Sequence, residues 1–241
     1  MIVYGKNAVK EALSGDDVIE KVLIEKGNFD KALSDIVKLA KDKRAVLQFV
    51  DRSVLTQKAG TSNHQGAVLI KGEFDYCSID DIFNLAKSKG EKLLIVICDS
   101  ICDPHNLGAI LRSAECFGAH GVIIPKHRGC PVNGTVIKTS AGASEHILVS
   151  KVTNINDAIR ELKERNVWVY ATDFDGEDIS KTDLVGDVAI VIGNEGDGIK
   201  RLTKELCDAT VTIKQYGKVN SLNASVACGI SLYEITRQRK G

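Results

Sequence analysis

The residues best suited to chemistry in this 241-residue chain fall in three short clusters, each following an apolar run. The first is Asp99-Ser100-Ile101-Cys102-Asp103-Pro104-His105-Asn106, continuing through Leu107-Gly108-Ala109 to Arg112. Asn106 stands where a helix is expected to open, so plain N-capping accounts for it as well as a functional role does. Arg112 lies about one and two-thirds turns further on; it is either a surface charge or a cation set beside the strand-end loop. The second cluster is Gly193-Asn194-Glu195-Gly196-Asp197-Gly198, after the apolar run Val188–Ile192. Its three glycines permit positive φ and close backbone approach, as a nucleotide-binding loop needs. It is neither GxGxxG nor a P-loop, and a tight turn with a solvated Glu195 explains it too. The third is Asn220-Ser221-Leu222-Asn223-Ala224-Ser225-Val226-Ala227. Ser221 and Asn223 are good cap residues, and beside an exposed helix N-terminus they also supply a dense set of hydrogen-bonding groups.

These clusters need a frame that brings strand ends together. Residues 1–72 read as a small α/β unit: helix Ala8–Ser14, strand Val18–Ile24, helix Phe29–Lys41, strand Val46–Val50, helix Ser53–Ala59 and strand Gly66–Lys71. Residues 73–77 lack a period and are assigned as a linker. Residues 78–241 then alternate strand and helix. Ser78 and Asp81 have capping-box spacing, and Gly90 suits the end of the helix they open. Leu93–Cys98 is continuously apolar, as a strand buried on both faces should be. Helix Leu107–Phe117, strand Gly121–Ile124, helix Gly134–Ala141, strand Ile147–Val149 and helix Asn154–Arg165 follow. Strands Val167–Thr172, Val188–Gly193 and Ala209–Ile213 precede a final helix, Ser221–Arg239. Such alternation predicts a mainly parallel sheet covered on both faces. In open sheets of that kind ligands bind at the carboxyl ends of the strands, where the three clusters lie.

Composition narrows the function. The chain is 44% hydrophobic and 27% charged, enough for a buried core, with no apolar run long enough to span a bilayer. Its N-terminus has no secretory pattern, and its seven cysteines form no CxxC pair, so a cytoplasmic protein without a disulfide framework or metal is expected. Lys plus Arg equals Asp plus Glu at 32 each, so any nucleic-acid surface must be a local patch rather than a global field. The candidates are Lys126, His127 and Arg128, and the C-terminal Arg237, Arg239 and Lys240, each of which a solvated charge cluster would also explain.

Taken together, the clusters resemble the motifs of the SpoU (TrmH-like) family of knotted RNA methyltransferases. Asn106-Leu107-Gly108-Ala109 through Arg112-Ser113-Ala114-Glu115 and Phe117-Gly118-Ala119 is similar to the first motif. Ile190 to Gly198 is similar to the second and Ser221 to Ala227 to the third, while Lys138 to Glu145 matches a further family segment. The agreement in order and spacing covers roughly Leu93 to Arg239. Tyr4-Gly5-Lys6-Asn7-Ala8-Val9 and His64-Gln65-Gly66 resemble the small RNA-binding domain, similar to ribosomal protein L30e, that precedes some of these enzymes. Asp103-Pro104-His105-Asn106 and Tyr233-Glu234 through Arg237-Gln238-Arg239 are closest to members that methylate a guanosine of 23S ribosomal RNA. Lys214 and Asn220 depart from the usual proline and serine.

The resemblance implies an N-terminal L30e-like α/β domain and a C-terminal α/β knot, a homodimer, S-adenosylmethionine as cofactor, and a ribose 2′-hydroxyl of RNA as acceptor. It assigns Arg112, Asn106, Glu195, Ser221 and Asn223 to catalysis and backbone groups at Thr172, Gly193, Ile213 and Leu222 to the cofactor. Guanidinium keeps its proton at ordinary pH, so Arg112 is expected to clamp phosphate and stabilise the developing alkoxide rather than act as a base. Glu195 is expected to hold Arg112 or the ribose. The same reaction on transfer RNA, or a non-catalytic RNA-binding or ribosome-assembly factor of this fold, are the rivals. A nicotinamide oxidoreductase is disfavoured by the missing GxGxxG fingerprint.

Overall fold

A computed structural model describes residues 1–27, 30–218 and 221–241 of the chain. Phe29, the predicted start of the second helix, and Asn220, the first residue of the third cluster, lie outside the described residues. The chain divides into two units, Met1–Asp75 and Tyr76–Gly241.

The first unit runs β1 (Ile2–Tyr4), α1 (Lys6–Ser14), β2 (Ile19–Glu25), α2 (Lys31–Asp42), β3 (Val46–Val50), α3 (Arg52–Ala59) and β4 (Ala67–Lys71). Its sheet has the order β1-β4-β2-β3, with β2 and β3 parallel and the other pairs antiparallel. Helix α2 starts at Asp30, whose side chain accepts the Leu33 N–H, and it buries Leu33, Ile36 and Ala40 at helical spacing. Those residues pack with Val9 and Leu13 of α1 and with Val22, Ile24 and Leu69 of the sheet. Strand β1 was not anticipated. It is three residues long, too short to show a period, and only its pairing with β4 defines it.

The second unit contains α4 (Ile79–Lys89), β5 (Leu94–Asp99), α5 (Pro104–Cys116), β6 (Gly121–Pro125), α6 (Gly134–Thr139), β7 (Leu148–Val152) and α7 (Ile155–Glu164). It continues with β8 (Trp168–Asp178), β9 (Val188–Gly193), α8 (Arg201–Leu206), β10 (Ala209–Thr212) and α9 (Ala224–Lys240). All five strand pairings in the order β10-β8-β9-β5-β6-β7 are parallel. Every strand therefore delivers its carboxyl end to the same edge of the sheet. Strand β5 is buried along its whole length, which is why its run carries no polar alternation. The capping box forms as expected: Ser78 Oγ accepts the Asp81 N–H while the Asp81 carboxylate accepts the Ser78 N–H. Gly90 closes α4 with a φ of 65°, a conformation that favours glycine.

In the C-terminal basic cluster Lys240 is exposed, but Arg237 and Arg239 are committed to partners within the fold. Arg239 donates to the carbonyls of Lys92, Leu93, Leu184 and Gly186 at 2.5–3.4 Å, and Arg237 forms a two-point ion pair with Glu234. Arg239 thus fastens the last helix to backbone preceding β5 and β9. Lys126, His127 and Arg128 remain exposed in the loop after β6.

Two buried histidines give the fold a pH dependence. His120 Nδ1 accepts the Leu94 N–H at 3.1 Å, which leaves the proton on Nε2 facing Glu91 at 3.1 Å. His64 Nδ1 accepts the Gly66 N–H at 3.1 Å, and its Nε2 faces Thr56 Oγ1 at the same distance. Protonating either ring at Nδ1 would set two N–H groups against each other. Burial lowers both pKa values below the ordinary 6.5, against the pull of nearby Glu91 and Glu25. The unfolded chain takes up protons below about pH 6.5 that the folded chain resists, so these sites contribute full stability above that pH and lose it as the pH falls. The thermal midpoint should be lower at pH 5.5 than at 7.5, and His120→Asn should flatten the slope. A wild-type midpoint independent of pH across that window would contradict the assignment.

Candidate active site

Strands β5 and β9 are adjacent, with Asp99 paired to Gly193, so the first two clusters leave the sheet side by side. The buried Asp99 carboxylate locks them together. Its Oδ2 accepts the Lys200 N–H at 2.9 Å and its Oδ1 accepts the Ser100 hydroxyl at 3.0 Å, with Lys200 Nζ at 3.3 Å. The loop between Gly193 and Lys200 folds on Asn194, whose Oδ1 accepts the Gly196 and Asp197 N–H groups at 2.9 and 2.7 Å. A Cβ on Gly193 would lie 2.3 Å from Gly198 C and 2.4 Å from Ile199 N, so the turn closes only around a residue with no side chain.

Helix α5 begins earlier than the sequence suggested. Asp103 is its N-cap, accepting the His105 N–H at 2.8 Å, and Pro104 takes the first helical position. Asn106 is thereby released from capping and sits buried in the first turn. Its Oδ1 accepts from Asn223 Nδ2 at 2.9 Å, and its own Nδ2 donates a short hydrogen bond to Glu195 Oε1. The same Asn223 Nδ2 lies 3.2 Å from Glu195 Oε1. Asn223 is the N-cap of α9, so its Oδ1 is committed to the N–H groups of Ser225 and Val226 at 3.0 and 3.4 Å. That commitment fixes which way the amide faces and aims its NH₂ at the other two residues. One residue from each cluster thus joins a closed triangle of hydrogen bonds. Ser221 precedes the helix rather than capping it, because α9 starts at Ala224.

Beside this triangle lies a pocket of about 370 Å³. Thr172, Gly193, Ile213 and Leu222 all line it, together with Glu195 and Ser221. Its floor is apolar, with Ile192, Val211, Ala224 and Ala227, and its rim carries Asp173 and Asp197. The size is within the range of small-molecule sites, and strand-end backbone offers both donors and acceptors. The structure also supplies lining residues that motif reasoning passed over, including Asp173, Phe174 and Gln215. The signal available for them was position alone, since Asp173 and Phe174 lie in β8 just beyond its pairing with β9 and Gln215 follows β10.

Arg112 is placed differently. It is exposed on α5, about 120° around the helix from Asn106, and outside the lining of the pocket. Among the described residues it has no hydrogen bond or ion pair. The expected Glu195–Arg112 contact is absent from this single chain, and Glu195 pairs instead with the two asparagines.

Residues 93–233 match the family model described as the SpoU rRNA Methylase family, and residues 2–77 match that for RNA 2′-O ribose methyltransferase substrate binding. The chain belongs to the SpoU (TrmH-like) family of methyltransferases. A relative from Bacillus subtilis strain 168, YacO, whose name places it in the TrmH family of tRNA/rRNA methyltransferases, is 42% identical over 98% of this chain and 95% of its own. The solved structure of the SpoU methyltransferase AviRb from Streptomyces viridochromogenes, in complex with AdoMet, has a TM-score of 0.66 at 23% identity, covering 99% of this chain and 90% of that one. The A. aeolicus TrmH/SpoU tRNA modifying enzyme has a TM-score of 0.58 at 30% identity, covering 62% of this chain and 77% of that one. The second unit therefore has the α/β-knot fold of SpoU methyltransferases. The protein is an S-adenosylmethionine-dependent RNA methyltransferase. The apolar lining, the glycine turn and the Asp197 carboxylate fit a ligand that combines a purine with a cationic sulfonium, the Asp173 carboxylate being paired with Lys204.

Proposed function

We propose that this SpoU methyltransferase methylates a ribose 2′-hydroxyl, with a guanosine of 23S ribosomal RNA as the target nucleotide. The hydrogen-bonded triangle of Asn106, Glu195 and Asn223 at the rim of the pocket carries the reading. When bound, the cofactor supplies an electrophilic methyl group, so the protein must position an alcohol and ease the loss of its proton. Both asparagines donate to Glu195 Oε1, and Oε2, which has no hydrogen-bond partner among the described residues, is left to accept from the ribose hydroxyl. Ser221 extends the polar wall, and the backbone at Thr172, Gly193, Ile213 and Leu222 holds the cofactor. Arg112 grips the phosphate beside the ribose and stabilises negative charge developing on the oxygen.

The enzyme works as a homodimer. Val226, Ile230 and Tyr233 form an exposed apolar strip on α9, which packs against α5, the helix that bears Arg112. A second copy on this face would cover the strip and deliver an arginine to a triangle that lacks one in its own chain. The ribosomal target is supported by the family description, and the ribose acceptor by the N-terminal substrate-binding match.

The test is chemical. Unmodified 23S ribosomal and transfer RNA transcripts are incubated with methyl-labelled cofactor and hydrolysed in alkali. A 2′-O-methyl group blocks cleavage at its own nucleotide, so label should appear in an alkali-resistant dinucleotide from the ribosomal transcript. Label in mononucleotides would mean base methylation and would overturn the ribose assignment; label confined to transfer RNA would overturn the target.

A further inference from the structure

Strand β8 is longer than its partner requires, and the excess is built into a projection beside the pocket. Ala171 of β8 pairs with Thr210 of β10, but the next residue, Val211, pairs with Glu177. The segment Thr172–Gly176 is therefore looped out of the ladder. Both ends of the excursion are anchored. Thr172 Oγ1 donates to the Val191 carbonyl at 2.7 Å. Gly176 lies so close to β10 that a Cβ would be 2.6 Å from the backbone of Thr210 and Val211. The middle is clamped from below, because Lys204 Nζ donates to Asp173 Oδ2 at 2.8 Å and to Asp175 Oδ1 at 2.5 Å. The Phe174 N–H is tied to Asp173 Oδ1 at 2.8 Å.

What this scaffold presents is the ring of Phe174, which is 79% exposed and yet lines the pocket. A phenylalanine held on a fixed backbone with most of its surface in water gains nothing from burial in the fold. It is suited to a flat apolar ligand arriving from outside. The pocket behind it is of a size for a small molecule, so the ring's outer face is left for the nucleic acid.

We propose that Phe174 is a stacking platform for a nucleobase of the RNA substrate, at or next to the nucleotide being methylated. This rests on the protein acting on RNA but not on which atom receives the methyl group. Base–aromatic stacking is sequence-tolerant, so the ring supplies affinity and orientation rather than base identity.

The test uses the full-length protein with unmodified ribosomal and transfer RNA transcripts and S-adenosylhomocysteine. Phe174→Ala and Phe174→Leu should weaken binding of whichever transcript the wild type holds by roughly 5- to 150-fold. Phe174→Tyr should stay within about twofold, and in the Ala and Leu variants the loss of RNA affinity should be several times larger than any change in the Kd for S-adenosylhomocysteine, whose pocket the ring also lines. Phe174→Trp in a Trp168→Phe background provides a single reporter, whose emission should be quenched by RNA well beyond any change that S-adenosylhomocysteine alone produces. Wild-type RNA affinity in the Leu variant would overturn the proposal. Parallel loss of S-adenosylhomocysteine binding, with quenching by that ligand alone, would also overturn it and assign the ring to the cofactor's own adenine. Because binding is read directly, a methyl group found on a base would refute the ribose assignment and leave this result standing.

Discussion

Arg112→Ala is expected to lower kcat for methyl transfer by a factor on the order of 10²–10³, the loss seen when one charge-stabilising donor is removed from an active site. The Kd for S-adenosylmethionine should stay within about twofold of wild type. The side chain is exposed and lies outside the lining of the pocket, so its removal leaves the fold and the cofactor site intact. Arg112→Lys should recover only part of the rate, because a point charge does not replace a planar fork that can grip phosphate and alkoxide together. Placement adds a sharper expectation. Within one chain Arg112 and the Asn106–Glu195–Asn223 triangle are not in contact, so the arginine should serve the other subunit of a dimer. Mixing Arg112→Ala chains with Glu195→Gln chains, each inactive alone, should then restore activity. The chain that keeps Glu195 borrows Arg112 from its partner. No recovery in demonstrated mixed dimers would put both groups in one chain, and substantial turnover by Arg112→Ala itself would remove the arginine from the mechanism.

Gly193→Ala should abolish cofactor binding at ordinary concentrations, with a loss of 100-fold or more. The added Cβ would meet backbone atoms of Gly198 and Ile199 at 2.3–2.4 Å, and backbone cannot rotate away as a side chain can. The turn must open, and with it move the pocket wall and Glu195. Displacing a positioned catalytic group by about 1 Å also costs roughly 10²-fold in rate. Overpacking of this kind costs about 1–3 kcal/mol, which corresponds to a fall of several degrees in thermal midpoint but not to unfolding. Gly196→Ala is the matched control. Its Cβ would meet only Asn194 Oδ1 at 3.6 Å, an ordinary contact, so binding should change little. Calorimetric titration with S-adenosylhomocysteine reads both variants, and near-normal binding by Gly193→Ala would show that this turn does not form the cofactor wall.

Several elements were legible in the sequence because their signals are local. The limits of β9, Val188–Gly193, were read to the residue, since a continuous apolar run ends at a glycine-rich turn. The capping box at Ser78 and the left-handed Gly90 were legible for the same reason: a cap is decided by residues within one turn of each other. Helix α8 was missed because Lys200 at its N-cap offers no capping side chain and only Thr203 of its six residues is buried, so neither a cap nor an apolar face announces it. The start of α5 was displaced by one turn. Asp103 and Pro104 together outcompete Asn106 for the cap, and no rule of spacing ranks them without the loop geometry.

By itself, the sequence determined a small α/β unit followed by a parallel sheet with three polar loops at strand ends, and its motif spacing pointed to the SpoU family. The tertiary structure decided which side chains meet. It freed Asn106 from capping and made it and Asn223, which also caps α9, partners of one carboxylate across 89 and 28 residues of chain. It removed Arg239 from the list of RNA contacts by setting four carbonyls around it, and it left Arg112 apart from the triangle. It also raised Phe174 on a projection that exists only because β8 and β10 differ in length between two paired residues. The physical reason is common to all four. Local chemistry encodes where an element starts and which face is apolar, whereas the partner of a polar side chain depends on strand order and register, which distant parts of the chain settle together.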